Sequence, residues 1–167
     1  MRHIIIFALL CCLLLTACSQ KPTAPTELPT DPPVTLGPTQ APTEAQMQTF
    51  TLYHGDANAE FFLSEQVQVP EITENVVVEQ LISAGVLKAG VAVNSISMDG
   101  TQLILDFNQA FADLLCSMGT SGEYIIIGST VNTFLSAFHA ESLLFTVNGE
   151  VLESGHVIYD FPLEFME

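Results

Sequence analysis

Two dipeptides, Asp99-Gly100 and Asn148-Gly149, do most to limit what this chain can fold into. Each stands between short runs in which apolar and polar residues alternate. Val91 to Met98 and Thr101 to Phe107 flank the first; Ser142 to Val147 and Val151-Leu152 flank the second. Glycine reaches the positive φ that a tight turn needs, so each dipeptide predicts an antiparallel hairpin. Between the hairpins the apolar period changes from two to the helical 3.6. Phe111, Leu114, Leu115 and Met118 form one stripe, with Asn108 placed to cap it and Gly119 to end it. Ile127, Thr130, Val131, Phe134, Leu135 and Phe138 form a second, longer stripe. Thr120 and Glu123, three apart, have the spacing of a capping box at its start. The run Ile125 to Ile127 is a weak point there, because β-branched residues are poorer helix formers.

Upstream, Phe50, Leu52 and His54 alternate with Thr49, Thr51 and Tyr53, the pattern of a half-buried strand. Leu63, Glu65, Val67 and Val69 suggest a second strand, closed by Pro70. Thr73 is placed to cap a helix carrying Val78, Leu81, Ile82 and Gly85 at helical spacing, with Gly85 or Gly90 as its end. Val157, Tyr159 and Phe161 alternate and can add to a sheet edge. The order β-β-α-β-β-α-α-β-β predicts one α+β domain over residues 47–167, with helices packed on one face of a mostly antiparallel sheet.

The remaining residues read differently. Ile4 to Leu15 is an apolar run of signal-peptide length, shorter than the roughly 20 residues a spanning helix needs. Leu15-Thr16-Ala17-Cys18 follows it and resembles the bacterial lipobox. That resemblance implies removal of residues 1–17 as a signal peptide and attachment of diacylglycerol to the Cys18 thiol. An ordinary secretory leader cut near Ala17 is the alternative. Two acyl chains hold durably where one holds marginally, because each buried methylene contributes about 0.8 kcal/mol. Residues 18–46 then form a spacer with Pro22, Pro25, Pro29, Pro32, Pro33, Pro38 and Pro42 set among threonines. With almost nothing large and apolar, it is expected to be disordered. In polyproline II form, at about 3.1 Å per residue, it could reach roughly 85 Å. The expected location is the outer face of the cytoplasmic membrane.

Charge narrows the partners. Arg2, Lys21 and Lys88 are the only basic residues besides histidine, against 19 Asp and Glu, a formal net charge of −16. Such a surface repels phosphate backbones, so no nucleic acid is expected as partner. The plainer expectation is that the acid only keeps the domain soluble; any charged partner should be cationic. Cys11 and Cys12 fall in the leader, which leaves Cys116 as the domain's lone thiol, expected to be a small buried hydrophobe.

No G-x-S-x-G, H-E-x-x-H, glycine-rich phosphate loop or paired-cysteine motif occurs, so no catalytic residues, metal site or cofactor are assigned. His54, His139 and His156 lie in different elements; His54 and His156 could meet near a carboxylate and bind zinc, although scattered histidines are the plainer expectation. Asp99, Asp106 and Asp113 mark a turn and element ends. Thr130 and Thr133 are expected to bond locally to the helix backbone, with Asn132 off the apolar stripe.

Several stretches together resemble the GerMN domain family. They are Ser95 to Asn108, Ser129-Thr130-Val131-Asn132-Thr133-Phe134, Phe145-Thr146-Val147-Asn148-Gly149-Glu150 and Glu153-Ser154-Gly155-His156-Val157. The likeness covers nearly all of residues 48–163. It implies a lipoprotein with a low-complexity spacer and an assembly or scaffold role, in sporulation, germination or envelope complexes. The function expected is therefore a membrane-anchored, non-enzymatic interaction domain whose partner is an envelope protein or the cell wall. A small-ligand or divalent-metal-binding lipoprotein is the alternative.

Overall fold

A computed structural model describes residues 46–167. The predicted signal peptide, Cys18 and all of the predicted spacer except Gln46 lie outside the described residues.

The chain opens with the hairpin β1 (Gln48–Gly55) and β2 (Phe62–Val69), paired antiparallel as a two-stranded sheet. Helix α1 (Glu74–Ser83) follows, and the Thr73 hydroxyl accepts the Val76 N–H at 3.3 Å, as expected of a cap. Gly85 takes φ 76° just past its end.

A second sheet has the order β3 (Val93–Asp99), β4 (Gln102–Phe107), β5 (Ser142–Val147), β6 (Glu150–Glu153), β7 (Ile158–Tyr159). Only β4 and β5 are parallel; the other neighbours are antiparallel. A parallel pair needs a crossover, and α2 (Gln109–Cys116) with α3 (Thr120–Phe138) supplies it. The expected α+β class and mostly antiparallel pairing hold. The alternation near Val157 does yield an edge strand, β7.

Register explains the core. Leu103, Leu105 and Phe107 of β4 stand opposite Leu143, Phe145 and Val147 of β5, and all six are buried. Phe111 of α2 stacks on Phe107 with centroids 4.2 Å apart, and Phe134 of α3 meets it edge-on at 6.3 Å. On the other side of α3 lies the hairpin, whose Phe50 and Leu52 are also buried. Helix α3 is therefore enclosed on two sides, and 13 of its 19 residues are buried.

That enclosure corrects two expectations and leaves a third standing. Asn132 does not fall off a buried stripe, because there is no solvent face for it at that height; it is 1% exposed. Thr130 does donate locally, to the Ile126 carbonyl at 2.7 Å. Thr133 does not: its hydroxyl accepts the Tyr53 N–H of β1 at 2.9 Å, and Ser136 likewise accepts from Thr51 at 2.9 Å. The edge of β1 that faces away from β2 thus finds acceptors on the helix, where an open edge would leave its N–H groups to water.

Other local readings shift. Asn148 and Gly149 form the expected turn, with φ 52° and 81°. The first hairpin turns one residue later than expected: Asp99 pairs with Gln102, so Gly100 and Thr101 form the loop. Gly119 caps the start of α3 with no side-chain bond, and Thr120 is already helical, so no capping box forms. Helix α2 ends earlier than expected, at Cys116, followed by Ser117. Cys116 is exposed, not buried: it lies at the helix end, while Leu114 and Leu115 before it point inward.

Candidate functional site

Glu123 sits in the first turn of α3, 2% exposed. Its Oε1 accepts the hydroxyls of Ser154 and, at 2.7 Å, Tyr159. Its Oε2 lies 2.7 Å from His156 Nδ1. Burial pushes the Glu123 carboxyl up, but the hydrogen bonds from Ser154, Tyr159 and His156, and the attraction of His156, more than reverse this and hold it below its usual value. A carboxylate only accepts, so His156 carries its proton on Nδ1 toward Glu123. Burial, then Glu123 itself, pushes the Tyr159 phenol well above its ordinary range.

A Ser, a His and a carboxylate together invite comparison with a hydrolytic triad, and the geometry answers against it. The Ser154 hydroxyl points at Glu123, not at His156, and it accepts the N–H groups of His156 at 3.0 Å and Val157 at 2.9 Å. It closes a turn between β6 and β7. A triad needs the serine on the imidazole nitrogen that the carboxylate does not hold.

A second polar knot lies at the far ends of β4 and β5. Asp106 accepts from the Thr146 hydroxyl at 2.7 Å, the Gly149 N–H at 2.8 Å and the Asn94 amide at 3.0 Å. Burial raises the Asp106 carboxyl, and these donors bring it below its ordinary value. Its work is to fasten the Asn148-Gly149 turn to β3 and β4.

The candidate binding surface is aromatic. A cleft of about 500 Å³ is lined by Tyr53, Phe61, Phe62 and Phe165, with Met166, Glu60 and Glu167 beside them. Tyr53 and Phe165 meet edge-to-face at 5.4 Å, and Phe62 leans on Tyr124 at 5.6 Å. Phe61 is 67% exposed and Phe165 53%. A smaller cavity of about 190 Å³ shares Met166 with it and is lined by Glu123, Tyr124, His156 and Val157.

Both walls of the cleft are held by side chains. On the hairpin side, the Asp56 carboxylate accepts the N–H groups of Asn58, Glu60 and Phe61, at 3.3, 2.7 and 3.0 Å. Those backbone donors, Phe61 first and Glu60 next, lower the Asp56 carboxyl. On the other side, Asn132 donates to the Met166 carbonyl at 2.7 Å and accepts the Met166 N–H at 2.8 Å. The Tyr124 hydroxyl donates to the Glu167 carbonyl at 2.6 Å. One buried asparagine thus pins the segment that carries Phe165 and Glu167.

The histidines are not brought together. His54 Nδ1 bonds to the Gly55 carbonyl at 2.9 Å, His139 ends α3 in the left-handed region, and His156 bonds to Glu123. Among the described residues, no three His, Cys, Asp or Glu groups lie together as a metal site. No helix there is long and apolar enough to cross a membrane. The cleft residues escaped the sequence reading. Their one signal was Phe61-Phe62, two adjacent aromatics straight after Asp56 to Glu60.

The sequence profile of the Germane family, described as sporulation and spore germination, matches residues 51–153. This chain belongs to the Germane, or GerMN, family. The family description names a process and no reaction. Two solved GerMN structures agree on the fold. The first GerMN domain of the sporulation protein GerM from Bacillus subtilis superposes with TM-score 0.50 at 17% identity, over 72% of this chain and 98% of that one. The tandem GerMN domains of the same protein give 0.50 at 14%, over 78% of this chain but 49% of theirs, so this chain spans about half of the pair. A candidate lipoprotein from Clostridium perfringens gives 0.47 at 14%, over 75% of this chain and 93% of that one. No curated protein matches in sequence.

Proposed function

We propose that this GerMN protein is a lipoprotein, anchored through Cys18, whose domain binds a protein partner outside the membrane and catalyses nothing. The observation that carries the binding reading is the set of large apolar side chains left exposed on the cleft and the cavity beside it: Phe61 and Phe165 on the first, Tyr124 and Val157 on the second. Exposed apolar patches of this kind mark contact surfaces. The Ser154-Glu123-His156 group, which most resembles catalytic machinery, is spent on closing a turn. The lipobox and the proline-rich spacer support an anchored, standing-off domain. The family's link to sporulation and germination supports a partner within an envelope assembly of such cells.

The test uses intact cells. A photo-crosslinking amino acid in place of Val157, 38% exposed beside the cleft, should trap a discrete envelope protein. A crosslinker in place of Glu79, on the outside of α1, should not. Cys18→Ser should release the protein from the membrane fraction and abolish labelling by an alkyne fatty acid. Equal crosslinking from both positions, or membrane retention of the serine variant, would overturn the respective half of the proposal.

A further inference from the structure

We propose that the aromatic cleft between the β1–β2 loop and the C-terminal segment is a receptor for an arginine side chain of the partner protein. The inference deepens the binding role proposed above and rests on it. Tyr53, Phe61 and Phe165 offer aromatic surface, and Glu60 and Glu167 stand on the same cleft. Aromatic faces attract cations through the ring quadrupole, and carboxylates at the rim add charge. A guanidinium suits both at once, since it is planar, stacks on rings and presents a fork of donors to a carboxylate. The cleft, at about 500 Å³, falls within the usual size range of binding pockets, roughly 300–1,000 Å³.

Pre-organisation points the same way. The Asp56 carboxylate ties down the loop from Asn58 to Phe61, and Asn132 and Tyr124 tie down Met166 and Glu167. Walls held in this way lose little freedom when a ligand enters.

Charge decides who supplies the arginine. The whole chain has three Lys and Arg against 19 Asp and Glu. A second copy would bring the same acidic rim to the cleft, and the chain has little cation of its own to offer. The occupant is therefore a different protein with a basic segment.

Purified full-length protein in detergent, labelled in its Phe rings, provides the test by NMR. The probes are N-acetyl-arginine methylamide and its citrulline counterpart, which keeps the shape and lacks the charge. The arginine probe should shift the Phe61 and Phe165 rings with millimolar affinity, and added salt should weaken it. The citrulline probe should bind at least about fivefold more weakly, as expected when the charge supplies the attraction. Phe61→Ala should abolish the shift at Phe165, and Glu60→Gln should weaken it severalfold, with the rings of the buried Phe107 and Phe134 unmoved in both. No shift, or equal shifts from both probes, would overturn the assignment. If the cells still yield a crosslinked partner, the binding role stands and only the arginine receptor falls.

Discussion

The two sheets meet the same helix in different ways. The five-stranded sheet packs on α3 through large apolar side chains, with Phe134 against Phe107. The two-stranded hairpin also buries Phe50 and Leu52, but its seam with α3 uses hydroxyls and glycines as well. Thr133 and Ser136 accept from β1, while Gly128 and Gly55 let the chains approach. Apolar burial is non-directional, whereas hydrogen bonds and glycine approaches depend on position. The hairpin also carries Tyr53, Phe61 and Phe62, so the positional seam holds one wall of the cleft.

The largest expected loss is on the sheet side. Phe134 is fully buried and touches Phe107 and Phe138. Phe134→Ala should cost about 3–5 kcal/mol in urea unfolding. A cost below about 1 kcal/mol would mean the site collapses freely, contrary to dense packing.

Glu123 comes next. It joins α3 to Ser154 and Tyr159, at the β6–β7 end of the sheet. Glu123→Leu would take the acceptor from the buried Tyr159 hydroxyl and leave Ser154 only the Val157 carbonyl at 3.3 Å, and should cost about 3 kcal/mol near neutral pH. Folding lowers this carboxyl below its ordinary 4.5, so its contribution is complete above that value and drains away as pH falls through the folded one. The variant should therefore lose less stability than the parent between neutral pH and acid. Parallel acid limbs would show that Glu123 gains nothing from its donors.

On the hairpin side, a methyl group at Gly128 would collide with the Phe62 ring, and one at Gly55 would lie 2.6 Å from Ile125 Cγ2. Gly128→Ala should cost about 1–3 kcal/mol, the range for overpacking. Its signature should be local: faster hydrogen exchange at the Leu52 amide, with that of Leu105 in β4 little changed. Equal acceleration at both would merge the two regions into one cooperative unit and break the comparison.

The same contrast explains what the sequence could tell. The β-turn at Asn148-Gly149, the Thr73 cap and the alternation in β4 and β5 are local signals, and each was legible. An apolar stripe along one face of α3 fits a helix lying on one sheet. The hairpin covers a second face, so Asn132 and Thr133 are buried for reasons that sit about 80 residues upstream, at β1, and about 34 downstream, at Met166. Glu123 had the spacing of a local cap, yet its partner Ser154 lies 31 residues away. Long-range hydrogen bonds leave no period in a sequence. The cleft is assembled from both ends of the domain, and only Phe61-Phe62 hinted at it.

The smallest expected effect probes the seam most finely. Thr133→Val keeps the side chain's volume and removes the acceptor for the Tyr53 N–H. An unpaired, partly buried N–H costs about 1–2 kcal/mol. Thr133→Ser restores the oxygen and loses a methyl group, so it should recover the β1 register even where the packing is looser. If the hydroxyl positions the strand, the valine variant should move the Tyr53 ring against Phe165, now 5.4 Å away, and the serine variant should move it back. If both variants lose the same stability and leave that pair in place, the methyl group matters and the hydroxyl does not. The hairpin would then be held by packing alone, as the larger sheet is, and the wall of the cleft would owe nothing to the helix hydroxyls.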